Sequence, residues 1–91
     1  MAKTAEEALN SARKDLAERL GIDEDQITGS VEKTEFPDMA LGAPEKGELS
    51  GQMITSGWRI RLTAKGTRYE YRADKRQIRL CDFKGRNWRV G

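Results

Sequence analysis

The sequence predicts an α+β domain in which one N-terminal helix packs on a small antiparallel sheet of about four strands, with a long irregular loop between the first strand and a three-stranded meander. Three observations carry this. Apolar residues in the first stretch recur at spacings of three and four, the helical period. From Trp58 to Cys81 apolar and polar residues alternate, the period of half-buried strands. Between the two lies a run holding both prolines, Pro37 and Pro44, which neither element crosses readily.

The helix is expected over residues 3–21. Thr4 and Glu7 form a capping box, each side chain satisfying a free backbone N–H of the other at the helix start. Ala5, Ala8, Leu9, Ala12, Leu16 and Leu20 then make one apolar stripe, and Gly21 suits the left-handed residue that ends a helix. Asp23 and Gln26 repeat the capping spacing, so one short helical turn is expected there. The acidic triplet Asp23-Glu24-Asp25 lacks the ligand set and glycine of a calcium loop, and no metal or other cofactor is expected.

Thr28, Val31, Thr34 and Phe36 favour a strand over 27–36, weakly alternating and therefore at a sheet edge. An exposed edge can pair between chains, so the expectation is a monomer or a weak dimer. Residues 37–57 form the loop. Loops of this length in compact domains are usually functional or mobile, and this one is expected to be removable over 39–49 without loss of the fold. The meander occupies 58–82: Trp58 to Thr63, a tight turn at Lys65-Gly66, Arg68 to Arg72, a second turn around Asp74-Lys75-Arg76, and Gln77 to Cys81. Trp58, Ile60, Leu62, Tyr69, Tyr71, Ile78 and Leu80 share one face, against which the helix can lay its leucines. Residues 83–91 follow as a basic, aromatic tail.

Strand periodicity places Arg59, Arg61, Arg68, Arg72 and Arg79 on the opposite, solvent-facing side, with Glu70 the only acid among them. Planar guanidiniums on neighbouring strands are suited to phosphate or carboxylate, and Trp88 in the tail adds a ring that can stack on a base. Three readings stand side by side: a solvated face that blocks aggregation, a surface for an acidic protein partner, and a nucleic-acid surface. The chain's charge is asymmetric. Residues 1–56 carry 6 Lys/Arg against 12 Asp/Glu, and residues 57–91 carry 11 against 3, for a net charge of +2. This fits either an anion-binding face or two halves of one domain that complement each other.

With 91 residues, 36% of them hydrophobic, the chain is sized for a single domain with a small core and no deep, enclosed site. It has no histidine, so the commonest general base and neutral metal ligand are absent. Its one cysteine, Cys81, has no histidine to activate it and no partner for an internal disulfide. No glycine is followed by the Lys-Ser/Thr of a phosphate-binding loop, and Glu32 and Glu35 fall on opposite faces of a strand. A non-enzyme is expected. No apolar run approaches the roughly 20 residues that span a bilayer. The first residues lack the apolar core of a secretory signal, so the chain as written is expected in the cytoplasm, or outside it if a signal has been trimmed.

The order helix, strand, long insertion and meander resembles PepSY-type domains, with Leu20-Gly21-Ile22-Asp23 closing the helix and Tyr69-Glu70-Tyr71-Arg72-Ala73-Asp74 ending a hairpin strand. The resemblance covers roughly Lys3 to Asp82. It implies a small bacterial module, often extracytoplasmic, that is not catalytic and inhibits or regulates a peptidase. Phe36-Pro37-Asp38, Leu41-Gly42-Ala43-Pro44-Glu45 and Gly57-Trp58-Arg59-Ile60 are similar to a group of uncharacterised bacterial proteins whose loop usually carries a cysteine at the place of Ala43. In that group the loop cysteine can pair with the one matching Cys81; here that staple is absent.

Together these readings point to a non-catalytic protein-binding or regulatory module, with nucleic-acid or other polyanion binding through the arginine face and tail as the alternative. Asp38, Leu41 and Pro44 are the candidate partner-binding residues, because an apolar side chain exposed between turn-formers can anchor in a partner's pocket. The competing reading of Leu41 and Phe36 is that they pack the loop onto the sheet.

Overall fold

The computed structural model describes residues 4–90. Helix α1 (Ala5–Leu20) is followed by a single 3-10 turn at Glu24–Gln26 and by five strands, β1 (Ile27–Phe36), β2 (Thr55–Ala64), β3 (Thr67–Ala73), β4 (Ile78–Phe83) and β5 (Arg86–Val90). The strands pair in chain order β1-β2-β3-β4-β5, every pair antiparallel. The helix start expected at residue 3 and the final tail residue, 91, lie outside the described residues.

The helix begins as its sequence dictates. Thr4 Oγ1 accepts from the Glu7 backbone N–H and Glu7 Oε1 accepts from that of Thr4, both at 3.1 Å. Gly21 ends it at φ 68°, and the Ile22 N–H reaches back to the Ala17 carbonyl at 3.1 Å. Asp23 makes no side-chain cap; the turn after it closes through Gln26 N–H to the Asp23 carbonyl at 3.0 Å. Ala8, Ala12, Leu16 and Ala17 are buried against Ile27, Ile60, Leu62, Ala64, Tyr71, Ala73, Ile78 and Leu80 on one sheet face. Full burial of each large apolar side chain is worth about 1.5–3 kcal/mol, which makes this layer the main source of stability. Among the described residues one side-chain hydrogen bond crosses it: the Tyr71 hydroxyl donates to Asp15 Oδ2 at 2.7 Å, and Arg19 Nε, on the helix, donates to the same oxygen at 2.6 Å. Burial and the neighbouring Asp15 carboxylate push the Tyr71 phenol well above the ordinary tyrosine range.

The tail is a strand. Lys84 and Gly85 have φ of 54° and 80°, the double positive-φ geometry of a tight hairpin, as do Lys65 and Gly66 at 51° and 78° between β2 and β3. A bulge at Asp82 (φ 49°) breaks the β4–β5 register, after which Phe83 pairs with Arg86, while Trp88 sits opposite Leu80. The sheet therefore has five strands where about four were expected. The Lys84-Gly85 signal is the same as that of Lys65-Gly66, but the run after it is short and basic.

The loop, residues 37–54, is not a free excursion. It folds back over the sheet face opposite the helix, where Phe36, Ala40, Leu41 and Ala43 are all at most 2% exposed. The sheet is thus covered by the helix on one side and, at one end, by the loop on the other. The expectation that 39–49 is dispensable does not hold, because that segment supplies Ala40, Leu41 and Ala43 to a second small core. β2 begins at Thr55, so the loop ends three residues earlier than expected.

Candidate functional site

The face opposite the helix carries the arginines that alternation placed there. Register puts Arg59 opposite Arg72, Arg61 opposite Glu70, Thr63 opposite Arg68, and Arg72 opposite Arg79. They do not form one open cationic surface. Arg79 is 3% exposed, overturning its expected place in solvent, because the loop lies across it. Its Nη1 and Nη2 donate to Glu48 Oε1 and Oε2 at 2.5 and 2.7 Å, and Nη1 also reaches the Ala43 carbonyl at 3.2 Å. The Arg79 guanidinium and the Glu45 backbone N–H hold the Glu48 carboxyl down at about 2, and Glu48 in turn raises Arg79. Arg72 is half-buried: Nε donates to Glu70 at 2.7 Å, Nη1 donates to the Leu41 carbonyl at 2.9 Å, and the guanidinium stacks 5.5 Å from the Phe36 ring centre. Arg59 lies between Glu70 at 3.4 Å and Glu32 at 3.8 Å.

Arg61 and Arg68 remain. Arg61 approaches Glu32 at 3.4 Å and its side chain is 60% exposed. Arg68 is exposed, and its side chain has no ion-pair or hydrogen-bond partner among the described residues. Trp88, expected to work with the arginines, lies on the helix side of the sheet. Its Nε1 donates to the Phe83 carbonyl at 2.8 Å, and the guanidiniums of Arg19 and Arg86 stack 5.5 and 5.4 Å from its ring. Alternation brings Trp88 in register with Leu80 and so carries it away from the arginine face.

The loop candidates separate in the same way. Leu41 is 0% exposed, in a left-handed conformation at φ 60°, and cannot anchor in a partner. Asp38 Oδ1 accepts from the Ala40 and Gly42 backbone N–H groups, both at 2.9 Å, and so shapes the turn that aims Leu41 inward. Pro44 is exposed, with its carbonyl accepting from Asn87 Nδ2 at 2.9 Å.

Sequence reasoning missed the exposed apolar residues at the two ends of the loop. Met39, Met53 and Ile54 are 42%, 63% and 71% exposed, and they line a cleft of about 310 Å³ with the β3–β4 turn, Asp74 to Gln77. Gln77 Nε2 ties the turn to the loop through the Met39 carbonyl at 2.8 Å. Asp74 Oδ1 accepts from the Arg76 and Gln77 backbone N–H groups at 2.7 and 3.0 Å, fixing Lys75 and Arg76 at the exposed tip. The available signal was Met53-Ile54, an apolar pair just before the strand alternation begins. Cys81 is half-buried opposite Glu70, and burial pushes its thiol up to about 11, so it is protonated at neutral pH.

No helix among the described residues is long and apolar enough to cross a membrane. No curated protein and no solved structure matches the chain. A family model does, over residues 9–81, from the first turns of α1 into β4, and the chain belongs to that family, a domain of unknown function designated DUF8738.

Proposed function

We propose that this domain is a non-catalytic protein-binding module whose contact surface is the apolar cleft between the loop ends and the β3–β4 turn. The observation that carries the reading is Met39, Met53 and Ile54 exposed together. Large side chains at adjacent exposed positions, rimmed by the polar groups of a turn, are the usual composition of a protein contact. Lys75 and Arg76 border the cleft and make no ion pair among the described residues, which favours a partner with acidic residues at its rim. The absence of histidine and the high Cys81 thiol support a role without catalysis. A peptidase as the bound protein is the narrower form of this reading, implied by the PepSY-type order of elements. Nucleic-acid binding has less support, since Arg72 and Arg79 hold the loop and Trp88 faces the helix.

The test is site-specific photo-cross-linking in the native host, with the cross-linker at position 53 or, as a control, at the exposed helix position 18. A discrete protein adduct from position 53 that is lost on Met39→Ser/Ile54→Ser supports the module. Equal adduct patterns from both positions, or a pattern indifferent to those substitutions, overturn it.

A further inference from the structure

We propose that the half of the outer sheet face left uncovered by the loop is a binding site for the dianionic phosphate of a phosphomonoester. The loop lies over Arg72 and Arg79 and leaves a shallow groove of about 520 Å³ across β1, β2 and β3, lined by Thr28, Ser30, Arg61, Thr63, Arg68 and Glu70. Register arranges these six in two rows: Thr28, Thr63 and Arg68 in one, Ser30, Arg61 and Glu70 in the next. Arg61 and Arg68 are therefore diagonal neighbours on adjacent strands, close enough for long side chains to converge on one ligand.

What marks this half is hydrogen-bonding capacity that the protein does not use. The side chains of Arg68, Thr28, Ser30 and Thr63 have no hydrogen-bond partner among the described residues, and Arg61 has only the 3.4 Å approach to Glu32. The one carboxylate in the groove, Glu70, is already turned to Arg72 at 2.7 Å and Arg59 at 3.4 Å, so its charge is compensated from within. On this face Arg59, Arg61, Arg68 and Arg72 stand against two carboxylates, Glu32 and Glu70, which leaves two positive charges, and the forks of Arg61 and Arg68 supply paired N–H donors, matching the charge and oxygen geometry of a phosphate dianion. The three hydroxyls can donate to its remaining oxygens or meet the alcohol that carries it. Tyr69 and Trp88 pack with the helix-side core, and Phe36 lies buried beneath the loop, so these rings offer no platform for a base. The chemistry recognised is the phosphate, whether on a small metabolite or on a phosphorylated serine.

The experiment is an amide NMR titration of the full chain with glycerol phosphate at fixed ionic strength, repeated with sodium sulfate and with a short phosphoserine peptide. Saturable shifts confined to residues 28–30, 61–63 and 68–70 are expected, with a Kd on the order of 1 mM for so open a site. Binding should weaken several-fold from pH 7.5 to pH 5, as the ester takes up its second proton near a pKa of about 6. Arg61→Gln/Arg68→Gln should lose at least about tenfold in affinity with the rest of the spectrum unchanged, while Arg86→Gln/Arg89→Gln should bind as the native chain does. The peptide binding much tighter than glycerol phosphate assigns the source to a phosphorylated protein, and equal affinities assign it to a small ester; either outcome supports the phosphate site. Sulfate, a dianion at both pH values, should bind without that pH dependence; shifts that do not saturate, glycerol phosphate binding equally at pH 7.5 and pH 5, or full affinity in the Arg61/Arg68 variant would overturn the proposal. None of these outcomes involves the Met39/Met53/Ile54 cleft, so the two proposals stand or fall separately.

Discussion

Arg79 on β4 and Glu48 in the loop, 31 residues apart, form a two-pronged ion pair at 2.5 and 2.7 Å, with the arginine 3% exposed. The pair does two things. It satisfies a guanidinium that the sheet would otherwise bury without a partner, and it fixes the loop over Arg72 and Phe36. Breaking such a pair from one side costs more than the pair contributes, because the remaining charge stays buried.

Glu48→Gln should therefore destabilise the domain by roughly 3 kcal/mol at neutral pH, read by urea unfolding. The effect has a pH signature. The folded-state carboxyl is held at about 2 against an ordinary value of 4.5, so its stabilising share is complete above about pH 5 and is lost as pH falls toward 2. The gap between the native chain and Glu48→Gln should narrow steadily across that window. A gap independent of pH would show that the carboxylate is not what holds the loop.

Leu41 and Met53 sit in the same loop and should respond in opposite ways to truncation. Leu41→Ala removes a fully buried side chain and should cost about 2–4 kcal/mol, whereas Met53→Ser, at a position 63% exposed, should change stability by no more than about 0.5 kcal/mol. Thermal unfolding of the two variants checks this. Met53→Ser is thus usable in binding experiments, and deletion of the loop is not.

Gly57 on β2 approaches the third strand so closely that an added Cβ would lie 2.1 Å from the Ala73 carbonyl oxygen. Backbone must shift to admit it, so Gly57→Ala should destabilise by about 3 kcal/mol or more and disturb the Trp58–Ala73 end of the β2–β3 pairing. Gly47→Ala, where nothing lies within 4 Å but φ is 80°, should cost only about 1 kcal/mol. Unfolding curves and amide exchange at Trp58 and Ala73 separate a steric effect from a general loss of flexibility.

The elements legible in the sequence are those set by local physics. Thr4 and Glu7 lie three residues apart and cap the helix wherever it packs; Gly21 ends it; the alternation from Trp58 to Cys81 divides apolar from charged faces without knowledge of the partner strand. The family match, which names no activity, adds nothing to these local rules.

What lay beyond the sequence is what depends on segments meeting at long range. Whether Leu41 points to solvent or to the sheet is decided by Arg72 donating to its carbonyl and by Phe36 offering a floor, and neither is coded by the loop's own composition. Alternation correctly placed five arginines on one face. It could not show that the loop and Glu48 bury one, that Leu41 and Glu70 hold Arg72 and Arg59, or that Arg68, and Arg61 with only its 3.4 Å approach to Glu32, stand beside hydroxyls that have no partner among the described residues. A strand's period fixes the direction of a side chain, but its availability depends on what the rest of the chain lays over it, and only the tertiary structure decides that.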